Sequence, residues 1–186
     1  LNGKLYADLH QMIRYSCNEC ATRVLEQVGR KELIRILRSP EYKFYDQDQD
    51  GGLWVGKDYA PSAAYDRDPL AGLSHGATAF QAARFYYELN KGTLVSPKQT
   101  ALMLDVLSKP GLGHKIVRGL RAYPDIELFR YSGTLKTFHA DSILVRAVGL
   151  AYILVGLAHH PDGAVWLERI AAPLHELVIS QNSMQH

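Results

Sequence analysis

The stretch Ile126-Glu127-Leu128-Phe129-Arg130-Tyr131-Ser132-Gly133-Thr134 decides how this chain reads. Ahead of it, apolar residues recur at helical spacing. From it onward they fall in short runs rich in β-branched and aromatic residues: Ile126 to Arg130, Ser142 to Val148 and Tyr152 to Ala158. The links between these runs are short, which favours an antiparallel meander. Tyr131-Ser132-Gly133-Thr134 stands at the end of the first predicted strand. Pro161-Asp162-Gly163 reads as a turn, and residues 164–179 as a closing amphipathic helix with Val165, Leu167, Ile170, Leu174, Leu177 and Val178.

Upstream the helical period dominates. Residues 17–28 carry Ala21, Val24, Leu25 and Val28 and stop at Gly29. Lys31 to Arg38 is a second short helix, stopped by Pro40. From Glu41 to His75 the pattern is lost, and a long irregular stretch in a compact domain points to function. Thr78-x-x-Gln81 opens a helix with Ala82, Phe85, Tyr86 and Leu89 on one face, closed by Asn90-Lys91-Gly92. Ser96-Pro97 opens another, which ends before Pro110-Gly111. The fold class is therefore α/β of the α+β kind: residues 1–122 form a helical lobe with a long loop, and residues 123–186 a partial antiparallel sheet with a C-terminal helix. Three strands and one helix make a thin layer, so further strands from upstream of Leu1 are expected to complete the sheet.

The chain has 186 residues with 47% hydrophobic content, enough for one domain with a core. A net charge of +2 gives no reason to expect nucleic acid or an anionic membrane as partner. No apolar run reaches membrane-spanning length; the longest, Leu150 to Ala158, is strand length. Cys17 and Cys20 form a C-x-x-C pair. Zinc would need further ligands that the sequence does not supply nearby, and the pair does not follow a strand as in a thioredoxin-like unit. They read as two small apolar residues one helical turn apart.

Two motifs carry the candidate chemistry. Ser16-Cys17-Asn18 lies just before a helix, where Ser16-x-x-Glu19 also fits a capping box. Tyr131-Ser132-Gly133-Thr134 lies on the strand. With Glu19-Cys20-Ala21-Thr22-Arg23-Val24-Leu25, the segments Gly52 to Lys57 and Ser74 to Thr78, His114-Lys115, Arg118-Gly119-Leu120 and His139-Ala140-Asp141-Ser142, these residues resemble the class A β-lactamase and penicillin-binding-protein superfamily over nearly the whole chain. That family has an S-x-x-K nucleophile motif, then S-x-N, then K-[ST]-G. Ser16-Cys17-Asn18 matches the second motif and Ser132-Gly133 the last two residues of the third.

The resemblance implies a serine β-lactamase or transpeptidase-like fold and an acyl-enzyme mechanism on a β-lactam or peptidoglycan-like amide. Ser16 would pass a proton to the leaving amine. Asn18 would hydrogen-bond the substrate's amide side chain, and Ser132 its carboxylate. Tyr131 and Gly133 would be further substrate-binding positions, and the Thr134 N–H would be one oxyanion donor. No metal or cofactor is implied, and the compartment would be periplasmic or secreted. Two departures matter. No S-x-x-K occurs in the 186 residues, so the nucleophile is expected upstream of Leu1. Tyr131 occupies the position of the motif lysine, and a phenol of ordinary pKa ~10 carries no positive charge; Arg130 is nearby, but strand alternation puts it on the opposite face. No Glu-x-x-x-Asn pattern for deacylation lies between Glu41 and His75. The alternative is a non-catalytic relative that binds a ligand or partner in the same cleft, which Tyr131 favours. His75 and His139 read as structural donors.

Overall fold

The computed structural model describes residues 3–184. The elements run α1 (Gly3–Tyr15), α2 (Asn18–Val28), α3 (Arg30–Leu37), the short strands β1 (Tyr45–Asp46), β2 (Gly51–Gly52), β3 (Trp54–Val55) and β4 (His75–Gly76), then α4 (Ala79–Lys91), α5 (Pro97–Leu107), α6 (Ile116–Gly119), β5 (Glu127–Leu135), β6 (Phe138–Ala147), β7 (Leu150–His159) and α7 (Gly163–Ser183). The expected meander forms as an antiparallel sheet in the order β5-β6-β7.

Alternation along the strands sets two cores. Phe129 and Leu144 face the helical lobe and pack with Leu37, Phe44, Tyr86, Leu89, Leu94 and Leu107. Ile143 and Val145 face the other way, onto Ile116, Leu120, Leu167 and Ala171 of α6, its end and α7. Both faces are buried, so a one-residue slip would exchange the two sets, and the register is strongly specified. β5 extends beyond the predicted end at Arg130. It continues through Tyr131↔Ser142, Ser132↔Asp141 and Gly133↔Ala140, so the motif lies within the strand. A glycine there weakens the strand signal in the sequence, and the partner strand overrides it.

Helix α1 was not singled out by the sequence. It packs on α2, where Arg23 pairs with Asp8, and is tied to α5 by polar contacts. The Tyr6 hydroxyl donates to Asp105 Oδ2 at 2.6 Å, and the Arg14 guanidinium to the Asp105 carbonyl at 2.6 Å. The expected capping box at Ser16 is not the one that forms. Cys17 is the N-cap of α2, its Sγ accepting from the Cys20 N–H at 3.1 Å, and Ser16 sits in left-handed backbone at φ +56°. The two cysteines are not merely apolar neighbours either, because their sulfurs are joined in a disulfide. At α4 the Thr78 hydroxyl does accept from the Gln81 N–H, and Gly92 closes the helix in left-handed backbone as expected.

The irregular stretch is ordered by two minimal hairpins, β1–β2 and β3–β4, over a small core of Ile34, Tyr45 and Trp54. Asp68 staples it. Its carboxylate accepts backbone N–H groups from Leu70, Ala71 and Leu73 and the Tyr45 hydroxyl. Among the described residues no strand pairs with the outer edge of β7. α7 leaves Val165, Trp166, Ile170, Leu177 and Ile179 exposed.

The deepest polar contact joins β5 to β6. Arg130 Nε and Nη2 donate to the two Asp141 oxygens at 2.7 and 3.0 Å, with both side chains 3% exposed or less. Replacing Asp141 by alanine leaves an uncompensated guanidinium in the core, and a loss of about 3–5 kcal/mol is expected. Urea unfolding followed by Trp54 emission measures it. Asp141→Leu combined with Arg130→Met should recover most of that loss, since a well-packed apolar pair replaces a buried ion pair at little cost.

Candidate functional site

On β5, residues alternate between two environments. Tyr131 and Gly133 face the helical-lobe side, with Tyr131 36% exposed. A Cβ placed on Gly133 would meet nothing within 4 Å, so the strand backbone borders open space there. Burial raises the Tyr131 phenol above its ordinary pKa. The Tyr59 phenol is raised too, first by burial and then by the neighbouring Tyr131, which places both hydroxyl-bearing rings in one region. The His75 ring packs edge-on to Tyr59 at 4.8 Å, and burial holds it below the usual histidine pKa, as suits a neutral packing histidine.

Arg130 and Ser132 face the opposite side, as alternation requires, and both are buried. Beyond Asp141, Arg130 Nη1 donates to the Leu112 carbonyl at 2.9 Å and Nη2 to the His114 carbonyl at 3.3 Å. Asp141 Oδ2 also accepts the Ile116 N–H at 3.1 Å. The connector 112–116 is thereby clamped against the strand pair. Lys115 is the result. It is 2% exposed and held in positive-φ backbone. Its ammonium donates to the Gly133 carbonyl at 2.7 Å and the Ala140 carbonyl at 3.0 Å. Burial pushes its pKa down to about 8, against the pull of Asp141. The sequence showed His114-Lys115 only as part of a wider likeness. Nothing in spacing revealed that a lysine 18 residues away sits on the motif strand.

Thr134 pairs with His139 across the hairpin, its hydroxyl 3.4 Å from His139 Nδ1. The other motif lies at the end of α1, which packs beside β5. Gly111 lets Tyr15 close in, since a Cβ there would lie 2.3 Å from the Tyr15 ring. Ser16 follows at once, exposed, and Asn18 begins α2, also exposed. Among the described residues no hydrogen bond joins Ser16 or Asn18 to Tyr131–Thr134. Two carboxylates of the irregular stretch are committed elsewhere, Asp58 to Arg30 in a two-point ion pair and Asp68 to its backbone staple, while Glu41, Asp48, Asp50 and Asp66 are exposed.

The chain matches a known family model over most of its length. Residues 7–178 fit the model described as the β-lactamase enzyme family. The chain belongs to that family. Solved structures agree on the fold. The β-lactamase of Sphaerobacter thermophilus DSM 20745 aligns with a TM-score of 0.68 at 17% identity, over 89% of this chain and 61% of that one. PBP-A aligns at 0.65 and 13%, over 92% and 61%. A variant of the class A β-lactamase of the last common ancestor of Gram-negative bacteria aligns at 0.70 and 22%, over 97% and 66%. This β-lactamase family chain thus spans under two thirds of the length of the first two. No curated protein sequence matches it at a significant level.

Lys115 has a measurable signature. Its folded pKa of about 8 lies below the ordinary 10.5, so between those values the unfolded chain binds a proton that the folded chain does not. Stability contributed by this group therefore rises with pH through that window. Lys115→Met should lose that rise. Urea midpoints at pH 7.5 and 10 should show the wild type gaining on the variant; parallel shifts would remove the pKa assignment.

Proposed function

We propose that this chain forms the S-x-N and K-[ST]-G side of a serine hydrolase that acylates on a β-lactam or a peptidoglycan-like amide, with the nucleophile contributed from outside these residues. One observation carries the reading: the Gly133 backbone borders open space while a buried ammonium grips its carbonyl.

The roles follow from chemistry. Ser16 is exposed beside a helix N-terminus, where a hydroxyl can relay a proton to a leaving amine. Asn18 offers an amide that both donates and accepts toward a substrate amide. Ser132, buried on the strand face opposite the open side of Gly133, would serve a carboxylate only from the strand edge, and the Thr134 N–H would serve an oxyanion, a contact worth about 3–4 kcal/mol where water is excluded. Lys115 supplies the cation that Tyr131 lacks. Its ammonium holds the carbonyl of Gly133, the residue after Ser132, and raises the potential where a substrate carboxylate would rest. Tyr131 keeps a hydrogen-bonding group at the lysine position without its charge. With no Glu-x-x-x-Asn pattern in the irregular stretch to place a water-activating base, slow deacylation is the expected behaviour. The Cys17–Cys20 disulfide supports a periplasmic or secreted location. Residues 1–122 and 123–186 act as two parts of one domain. The open edge of β7 and the exposed apolar side of α7 suit docking of the segment that brings the nucleophile.

Tyr131 specifically favours a second reading, a relative that binds the same ligands in the cleft without turnover. Fluorescent penicillin separates the two. The longer protein with an S-x-x-K serine should label covalently, and Ser16→Ala should slow labelling by about 100-fold, the usual scale for losing a proton-transfer group. Reversible binding without a covalent adduct would establish the binding-only reading. No binding of either kind would end both.

A further inference from the structure

We propose that Cys17 and Cys20 form a second, redox-active site that exchanges with low-molecular-weight thiols and dithiols, independently of acyl transfer. A structural disulfide closes a long loop, and its gain grows with loop length. This one spans a sequence separation of three within a single helical turn and ties nothing distant together. The features around it suit exchange. Cys17 is half-buried at the helix N-cap, and Cys20 lies behind it at 5% exposure, so one sulfur can be attacked and the other cannot.

Both sulfurs have donors that would hold them as thiolates. The Cys20 N–H points at Cys17 Sγ at 3.1 Å, in the first turn of α2, where the helix favours negative charge. Arg23 Nη2 lies 3.3 Å from Cys20 Sγ. That guanidinium is anchored by a two-point pair with Asp8, at 3.0 and 2.6 Å, and Arg23 holds the Asp8 carboxyl below its usual range. A cation fixed against the buried sulfur makes Cys20 the better leaving group.

The exchange balances as follows. A thiolate of the external dithiol attacks Cys17 Sγ. The Cys17–Cys20 bond breaks, its electron pair stays on Cys20 Sγ beside Arg23, and Cys17 holds the dithiol as a mixed disulfide. The dithiol's second thiolate then attacks its own sulfur in that bond and releases Cys17 as a thiolate. The dithiol is oxidised to a cyclic disulfide by two electrons, and the protein gains two thiols. Cys17 also lies between Ser16 and Asn18, so exchange would alter the turn that carries both. That consequence rests on the functional reading above, whereas the chemistry itself does not.

The test equilibrates the folded chain in mixtures of reduced and oxidised dithiothreitol, quenches with an alkylating agent and counts modified cysteines by mass. The wild type should show one two-electron transition while far-UV circular dichroism and Trp54 emission stay native. Arg23→Gln should need about a tenfold higher ratio of reduced to oxidised dithiothreitol, the scale of losing one hydrogen bond to a charged group. With oxidised glutathione, Cys20→Ser should take one glutathione at Cys17, while Cys17→Ser should take none while folded. These trapping variants decide the matter even if Arg23→Gln fails to fold. Reduction only upon unfolding, an Arg23→Gln midpoint within twofold of wild type, or equal glutathione uptake at Cys20 would each overturn the proposal.

Discussion

The Arg130–Asp141 pair is the constraint on which the candidate site depends. Two charges are taken out of water almost completely, which costs several kcal/mol unless hydrogen bonds replace the lost hydration. Here they do. The guanidinium reaches both Asp141 oxygens and the carbonyls of Leu112 and His114, while Asp141 also holds the Ile116 N–H. One cluster thus ties β5, β6 and the 112–116 connector together. Lys115 belongs to that connector, so the ion pair indirectly seats an ammonium on Gly133. His114 is held low in pKa by burial and by its cationic neighbours, and so stays a neutral partner in the clamp.

Much of this architecture was legible from the chain. Thr78, Gly92 and Pro97 marked helix ends through their own backbone chemistry, and the β-rich runs gave three antiparallel strands. Arg130 fell on the face opposite Tyr131 because alternation is a local property. What was missed is long-range. Helix α1 is anchored through Tyr6 and Arg14 to Asp105, nearly a hundred residues away. Lys115 meets Gly133 only after the sheet and connector have folded. The irregular stretch gave no periodic signal because its order comes from two-residue hairpins and the Asp68 staple, not from a repeating face. Cys17 displaced Ser16 as the helix cap, an outcome that depends on Ser16 adopting a left-handed backbone.

The family gives the fold, and the departures from its motifs give this chain its character. A phenol stands where the family has an ammonium, and an ammonium stands behind the strand instead. A disulfide holds Cys17, the residue between Ser16 and Asn18.

On the proposed function, the turn at Ser16–Asn18 and the strand at Ser132–Thr134 form one ligand site. Backbone amide resonances of the chain, titrated with benzylpenicillin, test it directly. Concerted, saturable shifts at Ser16, Asn18, Ser132, Gly133 and Thr134 with one shared dissociation constant are the predicted result. Shifts confined to one of the two segments, or to residues elsewhere, would contradict it.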